Sequence, residues 1–447
     1  MYQPPPRRET SQKGGKRPGV LLDWGTRPNE SERPMTQSSA VIDSPDKLVD
    51  GFNIFAPPPA FYESPYPYYN ALRELEPVHT NADGSVYLTR YEDVRRVYRT
   101  KGMTSDKTEM FTKKYGQGPL LEQHTTSMLF SDPPYHTRIR NLLRHAFTPR
   151  ALKMLEHRVV NLVDGLVADC QEKGSMDLVL DFAYPLPVEV ICSMLGIAPE
   201  NGGALQEWSR LILTPLEPTA TPKMIEEGNQ AVVDFSGFLF DLLDEKRRDM
   251  AKGVRAGDIL EDLIDSQESE DDPLTAEELV QNCILLLNGG HETTTNLIGN
   301  GMMALFDNPD QLKLLQDDPS LLGSAIEEML RFDSPLQIGN RGIAEPFEVA
   351  GITLEPGTQV LTSIGGANHD PEAFDDPGRF DITRTPNKHL AFAAGIHACI
   401  AAPLARMEGT IAIGKLVATF PNIERAGPIS RGGRARFRGL TSMPVTV

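Results

Sequence analysis

The sequence is short of the features that mark secreted, membrane-spanning or nucleic-acid-binding chains. Of 447 residues only four are cysteine, Cys170, Cys192, Cys283 and Cys399, too far apart for a zinc-ligand spacing or a disulfide framework. Scattered cysteines predict a reducing cytoplasm, with three of them serving as small buried apolar side chains. Cys399 is set apart by its neighbours. No uncharged apolar run approaches the roughly 18 residues that span a bilayer. The opening MYQPPPRRETSQKGGK lacks the apolar h-region of a secretory signal. These absences predict a cytoplasmic protein with no membrane segment. A positive surplus is missing too: 44 Lys and Arg face 62 Asp and Glu, a net charge of −18. That balance argues against a nucleic-acid partner, since polyanions need a basic face. One stretch runs the other way. From Pro133 to Leu155 there is no acid, yet Arg138, Arg140, Arg144, Arg150 and Lys153 all occur.

What is present suits an ordinary globular core, with 40% hydrophobic and 24% charged residues. Residues 1–50 are rich in Pro, Gly, Ser and charge with little periodicity, which predicts a flexible N-terminal extension. Residues 51–447 contain no linker and no repeat. Helical periodicity covers 151–172, 224–249, 276–306 and 319–332, while short strand patterns sit near 86–90, 347–354, 358–363 and the C-terminus. The pattern predicts one large, mainly α domain with small β-sheets.

Cys399 lies in Ala391-Phe-Ala-Ala-Gly-Ile-His-Ala-Cys399-Ile-Ala-Ala-Pro-Leu-Ala-Arg406, an apolar loop leading into a helix. A thiol ahead of a helix meets free backbone N–H groups and the positive dipole end, which favour the thiolate. Gly395 can take the positive φ that turns the loop. Upstream, the helix LVQNCILLLNGGHETTTNLIGNGMMAL is interrupted by Gly289-Gly290 and Thr293-Thr294-Thr295, a local conflict that points to a functional distortion. A flat cofactor or dioxygen can approach paired glycines closely, and a Thr hydroxyl can divert an i−4 carbonyl. Glu292 beside them could supply protons, and His291 reads as a solvated or hydrogen-bonded helix residue. His136 and Arg140 are one helical turn apart, as are Glu328 and Arg331 within spacing for an ion pair.

The set resembles the cytochrome P450 family, in order, from about residue 62 to the end. The cysteine loop is similar to F-G-x-G-x-H-x-C-x-G at Phe392, Gly395, His397 and Cys399, with Ala393 and Ala401 where glycine is usual. Gly289, Gly290, Glu292, Thr293 and Thr294 match the distal-helix pattern A/G-G-x-D/E-T-T. Glu328 and Arg331 resemble E-x-x-R, and Asp376-Pro-Gly-Arg379-Phe380 resembles the P-x-R-F segment whose Arg completes a buried Glu-Arg-Arg network.

The resemblance implies haem b (iron protoporphyrin IX) with Cys399 as the metal ligand. It implies His136, Arg140, Arg341 and His397 at the haem propionates, and O2 as co-substrate. Thr293 and Glu292 become the distal proton-delivery pair. The implied activity is insertion of one oxygen atom into a C–H bond of a medium-sized, mostly apolar small molecule, a secondary metabolite. Substrate contacts are implied for Met103 through Leu129, Leu211–Thr221, Leu336–Gly339 and Phe437. No flavin or iron–sulfur motif is present, so electrons come from a ferredoxin and its reductase, expected to dock at Arg138, Arg144 and Arg150. Two other readings stand beside this one: an oxidase performing desaturation, ring closure or coupling, and a non-catalytic haem-binding module suggested by Ala393 and Ala401.

Overall fold

The computed structural model describes residues 44–269 and 272–447. The extension expected over residues 1–50 lies outside them up to residue 43. Its last part is corrected: Pro45–Val49 is a helix, with proline presetting φ in its first turn and Val49 buried beside Phe52 and Ile54.

In chain order the main helices are α1 (Tyr91–Arg99), α2 (Thr108–Tyr115), α3 (Tyr135–Leu143), α4 (Pro149–Lys173), α5 (Pro185–Leu195), α6 (Gly202–Leu213), α7 (Pro222–Ala251), α8 (Ala276–Asp307), α9 (Leu322–Phe332) and α10 (Ala402–Thr419). The long periodic stretches became α4, α7, α8 and α9 with ends shifted by a few residues. Thr148 caps α4 by accepting from Ala151 N at 3.3 Å. Thr275 and Glu278 form a reciprocal capping box that starts α8.

Helix α8 is buried on nearly every side, several of its polar residues included, and α5, α6, α7, α9 and α10 pack around it. Leu297, Ile298, Met302 and Leu305 join one buried cluster with α4, α9 and α10, while Leu279, Val280, Ile284 and Leu287 join a second with α5, α6 and α7. Cys170, Cys192 and Cys283 are buried in these clusters, the expected apolar role. The stretch Leu178–Leu195 is long and apolar enough to cross a membrane, but it carries Asp181 and Glu189, and 67% of it is buried inside the protein. It serves the core.

Five strands form the larger sheet: β1 (Val78–Thr80), β2 (Val86–Leu88), β3 (Met103–Thr104), β4 (Ile338–Ile343) and β5 (Gln359–Ser363), in the order β1-β2-β5-β4-β3. β2 and β5 are parallel and the other neighbours antiparallel, with Arg341 opposite Val360 and Ile338 opposite Ser363. The fold is mainly α with small sheets, as the sequence predicts. Strands β1, β3 and β4 lie outside the expected stretches; in β4 a Gly-Asn-Arg-Gly run has weak strand propensity and is held by its two neighbours instead.

Helix α9 contributes a buried ion network. Glu328 and Arg331, both fully buried, pair through two bonds of 2.8 Å. Arg331 also donates to the carbonyls of Asn368, Pro377 and Arg379 at 2.8, 2.8 and 3.1 Å. The expected third member is wrong. Arg379 is exposed and lies 3.9 Å from Asp381. Arg384 reaches Glu328 at 3.1 Å, because the turn after Phe380 folds that residue inward and leaves only the Arg379 carbonyl in the network.

Candidate functional site

A cavity of about 600 Å³ lies between α8, the loop into α10, strand β4 and the C-terminal loop. Cys399 is on its wall. The loop is closed by Cys399 N donating to Phe392 O at 2.9 Å and Ala398 N to Gly395 O at 3.1 Å. Cys399 is exposed by area, and that area is cavity wall. Burial nevertheless pushes its thiol up, against the backbone N–H of Ala401, the charges of Arg140 and Arg406, and the N–H of Ala402. The groups expected to favour a thiolate are in place, but burial outweighs them for the bare thiol. A bound cation reverses that order, since a ligating thiol is deprotonated outright.

Two alanines and a glycine shape the same loop. Gly395 has φ +73°, and a Cβ there would lie 2.1 Å from the Tyr98 carbonyl oxygen at the end of α1. Ala393, standing where the family motif has glycine, adopts φ +56°, a left-handed conformation that strains a side-chain-bearing residue by roughly 1–2 kcal/mol. Ala401 has ordinary φ and lines the cavity. The Phe392 ring, also on the wall, carries the Arg406 guanidinium at 4.6 Å from its centroid.

The basic residues expected together are together. The His136 and His397 rings are 4.0 Å apart between centroids, Arg140 Nη2 donates to Ala398 O at 2.8 Å, and Arg341 stacks over Tyr98 at 5.1 Å. Burial, then the charges of Arg341, His136 and Arg140, hold His397 down at about 3. Arg140, Arg341 and His397 are on the cavity wall and His136 lies behind them. Among the described residues neither Arg140 nor Arg341 has a carboxylate partner, and both ring nitrogens of His136 and Nε2 of His397 lack hydrogen bonds. Half-buried cations and unpartnered imidazoles beside a thiol are the donor set that a flat, metal-holding dicarboxylate would satisfy. The residues present fit a haem.

Across the cavity, α8 runs as an unbroken helix. Thr293 donates its hydroxyl proton to Gly289 O at 2.6 Å, the expected i−4 diversion, without breaking the helix. The two glycines have different reasons to be there. Gly289 faces open space on the wall, whereas a Cβ on Gly290 would meet Ile191 Cδ1 of α5 at 2.2 Å. Gly290 thus serves helix packing as well as the cavity it lines.

Glu292 is not on the cavity wall. Its carboxylate pairs with Arg434 of the C-terminal loop, and burial raises it to about 7 against the opposing charge of Arg434. His291 is neither solvated nor hydrogen-bonded at Nε2. It is buried against Tyr184 at 4.7 Å, and burial lowers it to about 4.

Arg434 and Glu217 are site residues that sequence reasoning missed. Glu217, in the segment between α6 and α7, accepts from Arg434 Nε at 3.1 Å and from the backbone N–H groups of Ala435, Arg436 and Phe437 at 3.1, 2.9 and 3.2 Å. That clasp closes the segment over the cavity, where Leu216 and Pro218 form part of the wall. The other segments expected to touch substrate also contribute, with Met110, Leu213, Leu336 and Phe437. Arg138 corrects the docking patch. It is bound to Glu278 of the α8 capping box, lies 3.5 Å from Asp272 and donates to Pro273 O. Its charge is already matched.

A family model described as cytochrome P450 matches residues 206–423. The vitamin D(3) 25-hydroxylase of Pseudonocardia autotrophica is 38% identical over 394 residues, covering 87% of this chain and 94% of that protein. The chain belongs to the cytochrome P450 family. The 6-deoxyerythronolide B hydroxylase of Saccharopolyspora erythraea is 34% identical to this P450, over 86% of the chain and 96% of that protein. The solved structure of P450BioI with a hexadec-9Z-enoic acid ligated acyl carrier protein overlays on this P450 with a TM-score of 0.81, at 34% identity, covering 87% and 99% of the two chains. This P450 is therefore a haem-thiolate monooxygenase that uses O2, a small-molecule substrate and an external redox partner.

Proposed function

We propose that this P450 carries haem b and inserts one oxygen atom from O2 into a C–H bond of a medium-sized, mostly apolar secondary metabolite. The reading is carried by one observation: Cys399, Thr293 and the apolar side chains of four separate segments wall the same cavity. Relatives named as hydroxylases of vitamin D(3) and 6-deoxyerythronolide B support the substrate class. When bound, the haem supplies oxygen activation, and a thiolate ligand favours O–O cleavage by donating electron density to the iron. Everything else falls to the chain. Cys399 holds the metal, and Arg140, Arg341, His136 and His397 hold the propionates. Met110, Leu213, Leu336 and Phe437 orient the substrate and exclude water.

Proton delivery is assigned to Thr293 and Glu292. The Thr293 proton is committed to Gly289 O, which leaves the hydroxyl oxygen free to accept. Glu292, raised to about 7, populates both protonation states near neutral pH, as a relay needs. It reaches Thr293 by leaving Arg434.

The decisive test is the absorption of the reduced, carbon-monoxide-bound protein. The wild type gives the thiolate band and Cys399→Ser loses it; a band that survives the substitution overturns the reading. Thr293→Ala is expected to divert reducing equivalents to hydrogen peroxide, and unchanged coupling removes Thr293 from the relay. Electrons are assigned to an acidic ferredoxin and its reductase, docking at Arg144 and Arg150. Both are exposed and, among the described residues, without an ion-pair partner. Reversing both charges should slow ferredoxin-driven reduction and flatten its salt dependence. Unchanged kinetics would remove that surface from consideration.

A further inference from the structure

Two cations on the cavity wall have no part in the haem set or in the proton relay. Lys114, near the end of α2, donates to Glu217 O at 3.0 Å, and Arg436 donates to Leu216 O and Ile338 O at 2.9 and 2.8 Å. All three acceptors are backbone carbonyls. Among the described residues neither cation has a carboxylate within ion-pair distance, and Arg436 Nη2 makes no hydrogen bond. Both are half-buried, and both are on the wall of the cavity.

The local charges do not cancel. Lys114, Arg434 and Arg436 are three cations, and Glu217 and Glu292 are the acids near them. Both acids are bound to Arg434, and Glu217 is further occupied by three backbone N–H groups. Two acids elsewhere on the wall do not supply the missing charge. Asp83 is exposed and, among the described residues, beyond ion-pair distance of either cation, and burial pushes Glu408 up to about 8, which favours its neutral form. Lys114 and Arg436 are left without an acid of their own. An uncompensated buried cation is expensive unless something arrives to pair with it.

We propose that the substrate is an amphiphile bearing a carboxylate, which Lys114 and Arg436 hold while its apolar body fills the rest of the cavity. A carboxylate supplies the acid that neither cation has. A planar carboxylate can take the free Nη2 of Arg436 and a Lys114 N–H together. Burial and the Arg436 charge pull Lys114 down to about 8, and a carboxylate between them opposes that pull. The proposal rests on the monooxygenase reading, because it names what enters that enzyme's cavity.

The test uses the haem-loaded full-length enzyme, verified first by its carbon-monoxide band. Absence of that band would count against the monooxygenase reading and not against the anion site. Straight-chain carboxylic acids of eight to sixteen carbons and their methyl esters are titrated by calorimetry. At the best chain length the acid is expected to bind roughly tenfold or more tightly than its ester. Lys114→Met and Arg436→Met should each remove most of that preference and leave ester affinity within about threefold. If no acid binds more tightly than its ester at any length, or if the preference survives Lys114→Met, the proposal is overturned. Arg436 also holds two carbonyls, so Arg436→Met can fail to fold; Lys114→Met, whose residue makes a single bond, then decides alone. Loss of haem in a folded Arg436→Met protein, with acid preference intact in Lys114→Met, would assign Arg436 to the haem carboxylates instead.

Discussion

Glu328→Ala is expected to lower the unfolding free energy by about 3–5 kcal/mol, enough to leave little haem-loaded protein. The carboxylate accepts two bonds from Arg331, one or two from Arg384, and one each from Asp381 N and Asn387 Nδ2 at 3.0 and 3.1 Å. Removing it strands Arg331, a fully buried cation, with only carbonyl partners, and strands Arg384 beside it. The penalty is that of an unpaired buried charge, so it exceeds the net worth of the pair. Glu328→Gln keeps the shape and one acceptor and should fall between wild type and Glu328→Ala. Denaturant unfolding followed by haem absorbance measures both, and equal stability of all three proteins would contradict the network's role.

Gly395→Ala is expected to abolish haem retention through a different cause. Alanine at φ +73° adds roughly 1–2 kcal/mol of backbone strain, and its Cβ would sit 2.1 Å from the Tyr98 carbonyl. The obstructing atom is backbone at the end of α1, so it cannot rotate away. Relief requires moving either the helix or the cysteine loop, at a further ~1–3 kcal/mol. Ala393 supplies the internal control, because it already carries a side chain at positive φ in the same loop. The contrast attributes the loss at position 395 mainly to the close approach. The readout is the ratio of haem to protein absorbance after purification, together with Tm. Full haem content in Gly395→Ala would refute the close-approach argument.

Much of this site is legible in the sequence because its chemistry is local. Cys399, His397 and Gly395 lie within five residues, Gly289 through Thr293 within one and a half helical turns, and His136 and Arg140 on one face of a helix. The chain's covalent geometry brings such groups together wherever they land. The correction at Arg379 shows the limit of that logic. Two arginines five residues apart both suit a buried network, and only the turn between them selects Arg384. Gly290 is similar, as its need for glycine comes from Ile191 on another helix. Arg138 was misread because its partner, Glu278, is 140 residues away. Strand β4 was missed as a strand for the same reason, since its hydrogen bonds are supplied by neighbours distant in sequence. Arg434 and Glu217 are 217 residues apart, and nothing near either one announces the other.

The Glu217 clasp has a consequence for engineering this enzyme. Loops that cover a substrate cavity are common targets for transplantation between relatives, on the assumption that they are independent modules. The segment between α6 and α7 is not one. Its central carboxylate is anchored by four donors from residues 434–437, and the same Arg434 holds Glu292. A donor loop without an acid at position 217 would leave those backbone amides unanswered and loosen the arginine that holds Glu292. Grafted specificity would then arrive with altered coupling, unless the two segments are exchanged together.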